Sequence, residues 1–301
     1  MSNESLKVQG IIPALVTPMN EDGTVSEKGL RVVIDHVIDG GIHGIFILGS
    51  QGESFALTLE EKTSVIKASI QISAGRVPVY VGTGMITTAQ SVQMTALARE
   101  LGADAVSVIT PYFIRPSQRE LIDHYRAIAD AAGDMPVLLY NNPMRTAVSI
   151  DVETVVTLAE IDNVAGMKDS SADLLQTMKY IDATRDMNFS VLVGNDASIY
   201  ATMMCGGKGA VAATANVAPA LIVGIYNAVK AGDIDKAREL QYKLFPIRQA
   251  FTLGTFPLVV KEAMNIMGLP AGPARKPIQP LLPEKRAELE KILIGAGLLK
   301  K

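Results

Sequence analysis

Tryptophan is absent from the 301 residues, histidine occurs three times, cysteine once, and aromatic residues make up only 5% of the chain. The lone Cys205 excludes an intramolecular disulfide and points to a reducing, cytoplasmic setting. Neither sign of charge dominates: 28 Lys plus Arg stand against 31 Asp plus Glu, a net charge of -3, and no basic run is longer than the terminal lysine pair. The electrostatic footprint of a nucleic-acid binder is therefore missing. No apolar run approaches the roughly 18 residues of a membrane span, and the opening MSNESLKVQG has no apolar core of a signal peptide, so neither membrane insertion nor secretion is expected. His36 and His124 fall in helical patterns and His43 at a strand start. None is placed to hold a zinc ion for catalysis, and no metal is expected.

What the chain has instead is a repeated unit. Ile11 to Thr17 is an apolar, β-branched run closed by Pro18 and a turn, and Leu30, Val33, Ile34, Val37 and Ile38 then recur at helical spacing. The same strand-then-helix pattern returns with strands at His43 to Leu48, Val77 to Val81, Asp104 to Ile109, Pro136 to Leu139, Val164 to Met167, Phe189 to Val193 and Gly209 to Ala213. Thr58 with Glu61, Thr87 with Gln90 and Ser117 with Glu120 have the spacing of helix-opening capping boxes. Eight β-α repeats, whose strands are continuous apolar runs, predict an α/β protein with a (β/α)8 TIM barrel over residues 1–230. An open doubly wound sheet is the rival, but Thr17-Pro18-Met19-Asn20 is no glycine-rich dinucleotide fingerprint. Residues 231–301 carry further helical patterns at Asp233 to Ala250, Pro257 to Met267 and Pro283 to Gly295. They predict a C-terminal helical extension, either a packing appendage or an element of assembly or site covering.

In such barrels the chemistry sits where strands end. Strand 6 ends on Lys168, in Val164-Ala165-Gly166-Met167-Lys168-Asp169. A lysine at such a position either reaches solvent or is buried at a cost. A low-dielectric setting favours the neutral amine, which can attack a ketone carbon and form a Schiff base. Strand 5 ends on Tyr140; if both side chains point inward they lie on neighbouring strands about 5 Å apart, and the phenol can pass protons to and from the carbinolamine. Ser50 and the amides of Gly49-Ser50-Gln51-Gly52-Glu53 are candidates to hold a carboxylate, although a tight turn needs glycines anyway. Arg145, after the Asn142-Pro143 step that keeps the segment extended, has the planar fork that suits a substrate carboxylate, or is a solvated surface residue. The exits of strands 7 and 8, Gly194-Asn195-Asp196 and Thr214-Ala215-Asn216, lack the glycine-rich character of a phosphate site.

Taken together, GSQGE, Thr110-Pro111-Tyr112, Tyr140-Asn141-Asn142-Pro143, Gly166-Met167-Lys168-Asp169 and Gly209 through Thr214-Ala215-Asn216-Val217 resemble the dihydrodipicolinate synthase and N-acetylneuraminate lyase family, in order and over essentially the whole chain. The resemblance implies a class I lyase that needs no metal or organic cofactor, binds pyruvate and a small aldehyde, and assembles as a homotetramer, a dimer of dimers. It implies that Lys168 forms the Schiff base, that Tyr140 shuttles protons and that Ser50 is a relay hydroxyl beside the pyruvate carboxylate. Gly49, Gln51, Tyr112, Phe113, Arg145 and Val211 are implied to line the substrate. Arg145 matches the arginine that synthases use for the carboxylate of aspartate semialdehyde. Phe113 and Gln51 depart from the synthase pattern, which has a second tyrosine and a threonine there, and favour an aldolase for a 2-keto-3-deoxy sugar acid or an N-acetylneuraminate lyase-like enzyme. A non-catalytic keto-acid-binding homologue is disfavoured by the presence of both Lys168 and Tyr140. Leu59, Lys62 and Ile86 stand where lysine-regulated synthases carry polar residues, so no feedback inhibition by lysine is expected.

Overall fold

The computed structural model describes residues 6–299. Strand β1 (Gly10–Pro13) leads to α1 (Glu27–Asp39), β2 (Ile45–Ile47) to α2 (Leu59–Ser73), β3 (Val79–Gly82) to α3 (Thr88–Glu100) and β4 (Ala105–Ile109) to α4 (Gln118–Ala132). Then come β5 (Val137–Asn141), the short α5 (Pro143–Thr146), α6 (Val152–Ala159), β6 (Val164–Asp169), α7 (Leu174–Ala183), β7 (Ser190–Val193), α8 (Ile199–Met204), β8 (Gly209–Ala212) and α9 (Pro219–Lys230). The extension contributes α10 (Ile234–Gln249), α11 (Leu258–Ile266) and α12 (Pro283–Gly295). The strands run in the order β1-β8-β7-β6-β5-β4-β3-β2, and a parallel bridge from Ala14 to Phe46 brings the two ends together. This is the (β/α)8 barrel the repeats predict, with C-terminal helices.

The strands hold because both faces of each are covered: β3, β5 and β8 are buried at every position. Two predicted caps are complete boxes. Thr58 accepts from the Glu61 amide while the Glu61 carboxylate accepts from the Thr58 amide, and Ser117 and Glu120 do the same at α4. The third is half of one. Thr87 accepts from the Gln90 amide, but the Gln90 side chain turns to the Thr87 hydroxyl instead of its amide.

Residue contacts divide the chain into two units. The first, Met1–Gly10 with Tyr80–Ala210, is built on β3 to β7 and the start of β8. Within it Tyr125 of α4 donates to the Val108 carbonyl of β4 at 2.9 Å, and His124 beside it is buried with Nδ1 2.9 Å from the Thr88 hydroxyl. Burial lowers the His124 pKa to about 4, so the ring is neutral above that pH. The second unit, Ile11–Val79 with Val211–Lys301, holds β1, β2 and the extension. There Asn216 fixes the chain beyond β1, accepting from the Val16 amide at 3.1 Å and donating to the Ala14 carbonyl at 2.8 Å.

Several strand bounds differ from the sequence reading. The largest difference is at β1, which ends at Pro13 where the apolar run continues to Thr17; Ala14 makes only an isolated bridge, and Leu15 and Val16 are held by single hydrogen bonds to the Phe46 carbonyl and to Asn216. Strands β5 and β6 reach two residues further than predicted, through Asn141 and Asp169, and so carry Tyr140 and Lys168 inside the ladder.

Candidate active site

The first unit sets its polar residues on β5 and β6. Tyr140 and Lys168 are direct register partners on these adjacent parallel strands, 4% and 5% exposed. The Lys168 amine stands 4.2 Å from the centre of the Tyr140 ring. A protonated amine there gains from the π face, and a neutral one is within reach of the phenol once a substrate carbon is bound. Tyr140 is held by a residue just past its own strand: Asn142, two residues on, donates from Nδ2 to the phenol oxygen at 2.9 Å.

The next rung of the ladder, Asn141 with Asp169, carries a buried carboxylate. Asp169, 1% exposed, accepts from Asn141 Nδ2 at 2.9 Å, from the Ser171 amide and hydroxyl at 3.1 and 2.9 Å, and from the Thr177 hydroxyl at 2.6 Å. Four donors repay its desolvation and tie the ends of β5, β6 and α7 to one another. Gly194, just past β7, packs against both residues of the β6 end. Its amide donates to the Asp169 carbonyl at 2.7 Å, and a methyl group built on it would lie 2.9 Å from Lys168 Cε and collide with the Ser170 hydroxyl. Only a glycine leaves the lysine stem its path.

The sequence reading missed Asn142, Asp169 and Gly194. For Asn142 the available signal was its position two residues after Tyr140, just past the end of β5; nothing in the sequence marked Gly194 as the neighbour of Lys168.

Elsewhere in the same unit, Tyr112 is half-buried and burial raises its phenol pKa. Phe113 is 93% exposed and sits at φ +78°, a left-handed conformation unusual for a bulky side chain. Arg145 is exposed, on α5. That corrects the expectation of an extended segment after Asn142-Pro143. Asn142 caps a short helix at φ -145°, ψ 74°, and Pro143 occupies the first helical position, where its fixed φ suits a helix and its missing N–H costs nothing.

The second unit carries the GSQGE loop. Ser50 is half-buried, while Gly49, Gln51 and Glu53 are buried, as is Val211 of β8. The amides of Gly52 and Ser54 donate to the Gly49 carbonyl and that of Glu53 to the Ser50 carbonyl, at 3.0, 3.4 and 3.2 Å. Two of the loop's own amides, those of Gly52 and Glu53, therefore close its turn, and the Ser54 amide just beyond it adds a third hydrogen bond. Gln51, 3% exposed, donates from Nε2 to the Pro257 carbonyl at 3.1 Å; a proline carbonyl can only accept, which fixes the orientation of the amide. Glu53 and Lys261 are both wholly buried, with the ammonium 2.5 Å from Oε1. Burial lowers the Lys261 pKa, and the Glu53 carboxylate opposes that shift.

Among the described residues no group of three or more His, Cys, Asp or Glu side chains is placed to hold a metal ion, and no helix is long and apolar enough to cross a membrane. Cys205 is a free thiol.

A (β/α)8 barrel with a buried lysine paired across two strands to a phenol defines the class of protein: a barrel with the parts of amine chemistry at its strand ends. Comparison with known proteins gives the family. The model of the dihydrodipicolinate synthetase family matches residues 7–296, and the chain belongs to that family. It is 39% identical over 291 residues to a 4-hydroxy-tetrahydrodipicolinate synthase of Methanoculleus marisnigri, covering 96% of this chain and 99% of that one. The chloride-inhibited dihydrodipicolinate synthase of Acinetobacter baumannii, solved in complex with pyruvate, superposes with a TM-score of 0.94 at 36% identity over 97% of this chain and 100% of its own. YagE, a prophage protein of the dihydrodipicolinic acid synthase family from E. coli K12, also solved with pyruvate, gives 0.93 at 33% identity over 97% and 99%.

Proposed function

We propose that the chain is a pyruvate-dependent Schiff-base lyase that condenses pyruvate with an aldehyde, and that aspartate semialdehyde is that aldehyde, as the names of its relatives at 37–39% identity suggest. One observation carries the reading: the buried Lys168 amine lies 4.2 Å over the Tyr140 ring, on a neighbouring strand in direct register. The neutral amine adds to C2 of pyruvate; the phenol gives its proton to the departing hydroxyl, which leaves as water, and an iminium forms. Loss of a C3 proton gives an enamine that attacks the aldehyde carbon. Water, or an amine within the product, then adds to C2 and returns Lys168. Asn142 keeps the phenol oxygen in place through these steps.

Ser50 is proposed as the relay hydroxyl, with Gly49, Gln51, Tyr112, Phe113 and Val211 lining the substrates. Arg145, exposed on α5, is proposed to receive the carboxylate of the aldehyde. Arg145→Ala should raise KM for aspartate semialdehyde about tenfold to a hundredfold and leave an uncharged aldehyde little changed. Equal effects on both would remove that assignment. The second reading, a sugar-acid aldolase, is favoured by Phe113, which has no hydroxyl to offer a relay. Steady-state rates with a panel of aldehydes at fixed pyruvate separate the two, because the aldolase reading requires hydroxylated aldehydes to outrun aspartate semialdehyde.

A homotetramer and a cytoplasmic location complete the proposal. Exposed Leu175, Met178 and Met204 on α7 and α8, and exposed Phe113 and Ile114, support self-association. The single free cysteine supports a reducing compartment.

A further inference from the structure

In the second unit the C-terminal extension reaches the GSQGE loop and the turn after it at three points. Pro257 receives the Gln51 amide. Lys261, the second, has its ammonium against Glu53 Oε1 and donates to the Pro273 carbonyl at 2.8 Å. The third is Arg275: its amide donates to Glu53 Oε2 at 2.8 Å, and its guanidinium donates to the carbonyls of Gly23 at 2.9 Å and Ala56 at 2.6 Å and to both carboxylate oxygens of Glu61.

The segment so gripped is strained. Leu48 and Glu53, which bracket it, both sit at φ +55°, a region that side chains other than glycine enter at a cost and keep only where their surroundings over-determine it. From the strand side, Thr17 donates to the Gly52 carbonyl at 2.6 Å, and Gly52 is packed so closely that an added methyl would lie 3.0 Å from the Leu15 carbonyl. Stability is a poor reason for a wholly buried Lys–Glu pair, since desolvation consumes most of its attraction and an apolar pair serves as well. Geometry is a better one: Glu53 ends the loop that carries Ser50, and its two oxygens are held by two separate parts of the extension.

We propose that Lys261 and Arg275 are positioning residues: through Glu53 and Glu61 the C-terminal extension sets the conformation of the Ser50-bearing loop, and turnover depends on that grip although neither residue touches substrate. The inference rests on the reading of that loop as part of the pyruvate site.

The test compares the full chain with Lys261→Met, the double variant Glu53→Gln/Lys261→Met, and Arg275→Lys, measuring melting temperature, kcat and KM for pyruvate, and the mass of the borohydride-reduced pyruvate adduct. Lys261→Met alone is expected to melt well below the parent, because it strands a buried carboxylate. The double variant removes both charges and is expected to regain most of the melting temperature while kcat/KM stays at least tenfold down. Arg275→Lys keeps the charge but not the fork, and is expected to lose at least fivefold in kcat/KM at a melting temperature near the parent's. All variants should still form the adduct at saturating pyruvate, since Lys168 is untouched. A double variant that regains parental stability and parental kcat/KM together would overturn the proposal; if it does not fold, an Arg275→Lys enzyme with parental kinetics does so alone. A parent that forms no adduct defeats the functional reading instead, so the two failures are told apart.

Discussion

Tyr140 and Lys168 occupy one rung of the β5–β6 ladder, and neighbouring residues hold them there. Tyr140→Phe leaves the ring beside the amine but removes the hydroxyl, and with it both the transferable proton and the acceptor of the Asn142 hydrogen bond. It should lower kcat by about 10²- to 10⁴-fold, with the pyruvate adduct still trapped on long incubation; single-turnover rates check this. Gly194→Ala should be nearly as harmful, because its methyl falls 2.9 Å from Lys168 Cε. A loss of less than about threefold in kcat/KM would mean that the lysine stem can move aside at little cost. The lysine and tyrosine were legible in the sequence because each ends an apolar run. Gly194 was not, since its role is set by the register of β6 against β7, and no pattern within either strand records that register.

Helix starts were the most legible elements, for a local reason. Thr58 and Ser117 satisfy amides within three residues of themselves, so four residues of sequence contain the whole interaction. Thr58→Ala should cost about 1 kcal/mol of stability, read from denaturant midpoints, and more if the loss of the box also frees Glu61 from Arg275. The extension shows the opposite case. Its helices were placed nearly to the residue, yet its three holds on the GSQGE loop join positions more than 200 apart in sequence, between which no periodicity runs. The short α5 was also illegible: Asn142-Pro143 reads as extended chain or as the start of a helix, and the structure takes the second course.

At the scale of the whole molecule, His124 ties stability to pH. Its folded pKa of about 4 lies below the unfolded value near 6.5, so the unfolded chain binds the extra proton. The contribution of the neutral ring is complete above pH 6.5 and is lost as pH falls towards 4, by roughly 1 to 3 kcal/mol. Melting curves at pH 4.5 and 7 should diverge less in a His124→Gln variant than in the parent; equal divergence would remove the assignment. Sedimentation velocity should show a tetramer, and a monomer at micromolar concentration would contradict the proposed assembly. Steady-state rates should be unaffected by lysine, and a micromolar inhibition constant would contradict that. Whether Lys168 is the amine that takes up pyruvate is read most directly by reducing the protein with borohydride in the presence of pyruvate and weighing it. One added reduced pyruvate per chain is expected, located by peptide mapping on Lys168 and absent in Lys168→Ala. An unmodified mass, or an adduct that survives the substitution, would contradict it.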